Sequence, residues 1–384
     1  MITRSRLAAI ALAAALVVGA GCRADREPAA RSTGHPGAPL TPHGFTLVAS
    51  GDVLAHTSVI ERANADAGGT RYDFLPMFEG VKPLIAGADL AICHMATVYG
   101  ADGEHIGNPA FKLPPQVAGG LAATGYDACS TASDHSLDDG ATGVRRTLDA
   151  LDLAGVRHAG SARTAQEAYT PTLLRAGSAT VAHLAYTYGT DGFPMPQGQP
   201  WTLNLVDRDR ILADARAARR AGADVVVVSL HWGTEWQEQP DTQQMTLSRE
   251  LTASRTDGRP DIDLILGTHT HVPQAYEKVN GTWVVYGMGD QIAGEMFNRQ
   301  GLQDSRGNES TLARFTFAPP AHKGDRWEVT KAEFVPQLYD IDAGRIVNIN
   351  AALAQGADLG GVRDRIRDVV LSRGAAHDGL TMGQ

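Results

Sequence analysis

The residues best suited to chemistry are imidazoles and carboxylates that stand directly after apolar runs. Gly267-Thr268-His269-Thr270-His271-Val272 closes the run Ile262–Leu266 and sets two histidines in His-x-His spacing. From an extended segment that spacing points both rings to one side, which suits one or two first-row metal ions. Gly267 permits the tight strand exit such a cluster requires. Four similar clusters recur: Gly51-Asp52-Val53-Leu54-Ala55-His56, Cys93-His94-Met95-Ala96, Ala132-Ser133-Asp134-His135 and His231-Trp232-Gly233-Thr234-Glu235. Open α/β sheets gather their ligands at strand ends, so the five clusters together support a metal site. Taken singly they are weaker, because Gly-Asp is a common turn, His56 equally suits a helix start, and His231 equally suits a satisfied core histidine. A Ser-His-Asp hydrolase built on Ser133 or Ser229 is the competing chemistry, but neither serine has the Gly-x-Ser-x-Gly elbow. Cys93 and Cys129 lack Cys-x-x-Cys spacing and lie in apolar runs, either as two buried thiols or as one disulfide.

The elements that must position these clusters alternate along the chain. Strands are expected at Phe45–Ser50, Leu90–Met95, Tyr126–Ser130, Thr180–Tyr186, Asp224–Leu230, Ile262–Leu266 and Thr282–Tyr286, then at Leu312–Ala318 and Trp327–Pro336. Phe74–Ala86, Gly140–Ala154, Arg208–Ala221 and Thr242–Ala253 carry apolar residues at helical spacing, with Leu148, Leu151 and Leu153 as one amphipathic example. Val225–Val228 is apolar on both faces, as an interior strand covered by two layers must be. Asn280-Gly281 reads as a two-residue hairpin turn, and Ile292–Ser310 as a long loop. The chain is expected to end in helices, residues 341–384 forming a C-terminal helical appendage to a domain of residues 43–340.

Composition narrows the partners. With 43% hydrophobic and 20% charged positions the chain can build a core. Its net charge of -9 disfavours nucleic acid, which needs clustered cations, so an anionic substrate would have to be met by a local positive group such as a metal ion. Residues 1–22 read as a lipoprotein-type signal peptide: Arg4 and Arg6 precede the apolar run Leu7–Val18, which is shorter than the roughly 20 residues a spanning helix needs. Gly19-Ala20-Gly21 before Cys22 suits cleavage and lipid attachment at Cys22, and residues 23–42 suit a disordered tether of roughly 25 Å average span. The location these features predict is the outer face of the cell membrane.

The five clusters in this order, with Ala88-Asp89-Leu90, Phe111-Lys112-Leu113-Pro114-Pro115, Gly125-Tyr126-Asp127 and Tyr286-Gly287-Met288-Gly289-Asp290, resemble the CapA family of poly-γ-glutamate capsule biosynthesis, whose fold is similar to calcineurin-like metallophosphoesterases. The resemblance implies an α/β fold, a four-layer α/β/β/α sandwich, with divalent metal ions at the strand ends: Mn, Fe or Zn, one or two per chain. Asp52, Asp134, His231, His269 and His271 would be ligands, with His56, His94 and Asp290 as further candidates. His135 would be the general acid, and Lys112, Glu235 and Gln274 would contact substrate. Implied partners are an anionic envelope polymer or a small phosphoester, and membrane-embedded synthesis or export enzymes. The chain departs from the family at His94-Met95-Ala96, where Asn-Leu-Glu is usual, so the carboxylate that could bridge two metals is absent. Two functions follow: a metal-dependent hydrolase, or a non-catalytic polymer-binding or export-assisting member. One tightly bound metal is expected, which Ala96→Glu would raise toward two.

Overall fold

The computed structural model describes residues 43–384 except 102, 108, 323 and 324; Cys22 and the expected signal and tether lie outside the described residues. The principal strands, in chain order, are β1 (Phe45–Val53), β2 (Leu90–Met95), β3 (Ala128–Ser130), β4 (Arg157–Ala159), β5 (Thr172–Ala176), β6 (Ala179–Thr187), β7 (Val225–His231), β8 (Leu264–Thr268), β9 (Tyr276–Val279), β10 (Thr282–Val285), β11 (Asp290–Ile292), β12 (Glu309–Ala318), β13 (Glu328–Asp340), β14 (Arg345–Asn348) and β15 (Leu380–Met382). They form a larger sheet ordered β14-β13-β12-β1-β2-β3-β4, with β11 beside β1 and β15 beside β13, and a smaller sheet ordered β9-β10-β8-β7-β6-β5.

Alternating side chains tie the two sheets into four layers. Phe45, Leu47 and Ala49 of β1 and Val225 and Val227 of β7 belong to one buried cluster between the sheets. Val226 and Val228 face the other way, onto Ile211, Leu212 and Ala215 of the helix Arg208–Arg220 and Leu251 of the helix Thr242–Ala253. On the far side of the larger sheet, Val48, Ala91 and Cys93 pack under Val59 and Ile60 of the helix Thr57–Asp66 and under Val144, Leu148 and Leu151 of the helix Gly140–Ala154. Each such aliphatic side chain contributes about 1.5–3 kcal/mol by leaving water, so the valine run is held from both sides. The amphipathic reading of Gly140–Ala154 holds at Leu148 and Leu151, whereas Leu153 points to solvent.

The helix expected over Phe74–Ala86 is two short helices, Leu75–Phe78 and Lys82–Ala86. Pro76 and Pro83 each occupy a first turn, where a missing N–H costs nothing, so the helix must restart before Pro83. The Asn-Gly hairpin forms as read: β9 and β10 pair antiparallel with Val279 opposite Thr282, and Asn280 and Gly281 take φ of 50° and 80°. Cys93 and Cys129 stand opposite each other on β2 and β3 and are joined as a disulfide.

The residues read as a helical appendage include two helices, Ile349–Ala354 and Gly360–Val370, but β14 and β15 also extend the larger sheet. Ile349, Ile366, Val370 and Leu380 belong to the cluster between the sheets, so this segment is part of the sandwich. Among the described residues no helix is long and apolar enough to cross a membrane.

Candidate metal centre

The larger sheet holds Asp52, His94 and Asp290 inside strands and carries Asp134 in the turn that follows β3. Asp52 is in register with His94 of β2 on one side and Asp290 of β11 on the other. β11 approaches this closely because residue 51 is glycine: a Cβ there would stand 1.7 Å from the Gly289 carbonyl oxygen. His94 Nδ1 is bonded to Ser130 Oγ, which leaves Nε2 facing Asp52 Oδ1 at 3.3 Å. Both of those atoms are buried without a hydrogen-bond partner.

From the smaller sheet, His231 ends β7 opposite Thr268 of β8. Its Nδ1 is 3.0 Å from Thr268 Oγ1 and 3.4 Å from Asp52 Oδ1, and its Nε2 is 3.0 Å from Asp134 Oδ1. Past Thr268 the backbone leaves the extended conformation that His-x-His spacing suggested: φ is 91° at His269 and 60° at His271. Such conformations cost non-glycine residues of order 1–3 kcal/mol and cluster at functional sites. As a result the two rings part. His269 Nδ1 lies 3.7 Å from Asp134 Oδ2 and its backbone N–H donates to Asp52 Oδ2 at 3.1 Å, whereas His271 Nδ1 meets Asp290 Oδ2 at 3.0 Å. Gly267 serves close approach rather than a tight exit, since a Cβ there would meet the Tyr286 carbonyl oxygen and the Trp232 indole nitrogen.

Two buried donor groups result, Asp52–His94–His231 and Asp134–His231–His269, with the ligand atoms of each within 4.8 Å of one another. The donor set fits a divalent cation: buried carboxylates and neutral imidazoles converge, and two of their atoms have no other partner. Burial, with repulsion from Asp290, pushes the Asp52 carboxyl up to about 7 despite the nearby His231. Burial also raises Asp134, but the hydrogen bond and charge of His231, then His269, outweigh it and hold Asp134 well below the usual range. Burial and the neighbouring His231 keep His94 and His269 well below the ordinary histidine value, so both are neutral donors. His271 goes the other way, up to about 9, because Asp290 and Glu235 outweigh its burial.

His135 stands at the margin, its Nδ1 2.9 Å from Asp138 Oδ2 and its ring against Phe111. That hydrogen bond, with the Asp134 charge, raises its pKa against the effect of burial. His56 bonds the carbonyl oxygens of Ala293 and Leu54 and joins neither donor group. Lys112 pairs with Asp139, and Glu235 lies between His271 and Arg299. Gln274 is not placed to touch substrate: it is fully buried, its amide nitrogen donating to the Gln237 carbonyl and its oxygen accepting from Gln244. Ser133 is buried, donates to Asp134 and lies 3.3 Å from His231 Nε2, and Ser229 bonds His183. Ala96 is buried with Leu54, Phe111, Ala293 and Met296, so a glutamate there would enter an apolar cluster. Sequence reasoning missed Tyr188, whose hydroxyl donates to Asp134 Oδ2 at 3.1 Å and whose ring lies 4.5 Å from that of His269. A cavity of about 400 Å³ lies elsewhere, beside β4 and β6, where Arg163 already pairs with Asp149, Asp152 and Glu167.

Two facing sheets under helices form a four-layer sandwich with carboxylate and imidazole donors gathered at one edge of its strands. Residues 46–295 match the family described as bacterial capsule synthesis protein PGA_cap, and the chain belongs to that family. It is 27% identical over 180 residues to the PGA biosynthesis protein CapA of Bacillus subtilis (strain 168), covering 45% of this chain and 44% of that protein. To the capsule biosynthesis protein CapA of Bacillus anthracis it is 25% identical over 179 residues, 46% and 42% of the two. The match thus spans less than half the length of either relative. Among solved structures, the calcineurin-like phosphoesterase YfkN from Bacillus subtilis aligns with a TM-score of 0.46 at 14% identity, over 78% of this chain and 91% of that one.

Proposed function

We propose that this protein serves the synthesis or modification of a capsule or poly-γ-glutamate-type envelope polymer, and that its strand-end centre is a metal-dependent hydrolase acting on that polymer or on a small phosphoester. Two relatives are named for PGA and capsule biosynthesis, which supports the first half. The observation that carries the second is the pair of donor groups with Asp52 Oδ1 and His94 Nε2 left unpartnered. Oxygen and nitrogen donors without thiolate suit Mn, Fe or Zn. A bound cation would polarise a phosphoryl or carbonyl oxygen and acidify a water molecule. Asp52, His94, His231, Asp134 and His269 would hold it. His135, oriented by Asp138, would hold a proton at Nε2 for the leaving group. Asp290 is neutralised by His271 and Glu235 lies between His271 and Arg299, so an anionic substrate would meet the cation beside paired charges of both signs.

Elemental analysis of the purified protein, coupled to hydrolysis of bis(p-nitrophenyl) phosphate and of poly-γ-glutamate, tests the reading. Bound metal with turnover of either substrate, lost by about 10²-fold or more in His135→Gln with metal retained, is the expected result. Absence of both metal and turnover defeats it. The proposal extends to the N-terminus: lipid on Cys22 and a tether over residues 23–42 would hold the domain at the outer face of the cell membrane, near synthesis or export enzymes. Cys22→Ala should then release the protein from membranes; unchanged retention would exclude the lipid anchor.

A further inference from the structure

The two donor groups share one residue, and they use opposite sides of it. His231 Nδ1 faces Asp52 Oδ1 at 3.4 Å, while His231 Nε2 faces Asp134 Oδ1 at 3.0 Å. Each ring nitrogen also has a hydroxyl beside it, Thr268 Oγ1 at 3.0 Å from Nδ1 and Ser133 Oγ at 3.3 Å from Nε2. Ser133 Oγ gives its proton to Asp134 and so faces Nε2 as an acceptor, as Asp134 does, whereas Thr268 Oγ1 can donate to Nδ1. Without an ion the ring proton therefore sits on Nε2, and it must move to Nδ1 before Nε2 can ligate. A neutral imidazole has one lone pair and one N–H. It can therefore ligate from one side only, and ligation from both sides at once requires loss of the second ring proton.

Resting on the metal-centre reading above, we infer that the Asp52–His94–His231 and Asp134–His231–His269 groups are alternative sites for a single divalent cation, exchanged by the tautomer of His231. When His231 Nδ1 ligates beside Asp52 and His94, Nε2–H donates to Asp134. When Nε2 ligates beside Asp134 and His269, Nδ1–H is directed at Asp52. Each carboxylate thus serves as a ligand in one arrangement and as the acceptor that fixes the imidazole in the other, the usual companion of a metal-bound histidine. The first arrangement depends on His94, whose Nε2 is buried without a hydrogen-bond partner. Ala96, buried among apolar side chains, supplies no carboxylate to bridge a second ion.

Zn²⁺ bound per chain, measured on the full-length protein and on His94→Ala, His269→Ala and the double variant, separates the arrangements. The inference expects one ion in the unmodified protein, one in each single variant with Kd within about tenfold of the original, and none in the double variant. Two ions in the unmodified protein, falling to one in each single variant, would show a dinuclear centre and overturn the inference while leaving the metal-centre reading intact. Loss of all binding in either single variant would show one site that needs both histidines, and would overturn it as well. No Zn²⁺ in the unmodified protein would defeat the metal-centre reading itself. Long-range ¹⁵N–¹H correlation spectra of His231 give a second readout that a misfolded variant cannot imitate: Nε2 should be the zinc-bound nitrogen in His94→Ala and Nδ1 in His269→Ala, and the same nitrogen in both would contradict the exchange.

Discussion

The two sheets supply donors to one centre by different means. The larger sheet places Asp52, His94 and Asp290 side by side by strand pairing, with the register shifting on either side of Asp52. The smaller sheet ends one strand on His231 and then delivers His269 and His271 from a turn whose φ values are those of glycine. Pairing along the apolar part of β1 is held because a one-residue slip would turn its core side chains to the wrong face, and the shift at Asp52 comes only after that run. The turn costs backbone strain but aims two adjacent imidazoles at different carboxylates, Asp134 and Asp290, which an extended His-x-His could not do.

That contrast can be attacked at four positions. His231→Ala removes the strand-held residue common to both donor groups, and Zn²⁺ affinity should fall by more than about 100-fold; binding that survives within tenfold would show that the groups do not converge on it. His271→Ala leaves the Asp290 carboxylate buried without its partner, and the metal-free protein should lose about 3 kcal/mol in urea unfolding. A loss under 1 kcal/mol would mean the pair is dispensable. Ala96→Glu forces a carboxylate among Leu54, Phe111 and Met296, at a cost of about 2 kcal/mol in the metal-free state and with zinc still at one per chain. A rise toward two ions would instead place that side chain at the centre. The smallest effect compares two variants of one position. His269→Gly should be more stable than His269→Ala by about 1 kcal/mol, because φ of 91° favours glycine, and the order should reverse at His231. The same order at both positions would erase the distinction between turn and strand.

What the sequence disclosed follows the same division. Apolar runs announce their strands, so Asp52, His94, Asp134 and His231 were legible as residues at strand ends. Backbone conformation has no such signature, and His269 and His271 read as extended because nothing in their side chains reports a positive φ. The helix Gln116–Thr124 escaped notice because Gly119, Gly120 and its alanines give little apolar contrast between faces. Tyr188 follows the end of β6, so the strand-end rule would have found it had aromatic residues been counted among donors. Gln274 misled for the opposite reason: a polar residue beside a metal motif can be wholly occupied in pinning its own loop.

The disulfide between Cys93 and Cys129 has a bearing on how this protein must be handled. Cys93 immediately precedes His94, and Cys129 immediately precedes Ser130, the hydroxyl bonded to His94 Nδ1. The covalent link therefore clamps the two backbones from which one donor and its orienting hydroxyl project. Material made in a reducing cytosol, or kept in dithiothreitol, would have to hold that pair by the ladder alone, so thiol content measured alongside metal content would distinguish an unclamped preparation from a defective centre.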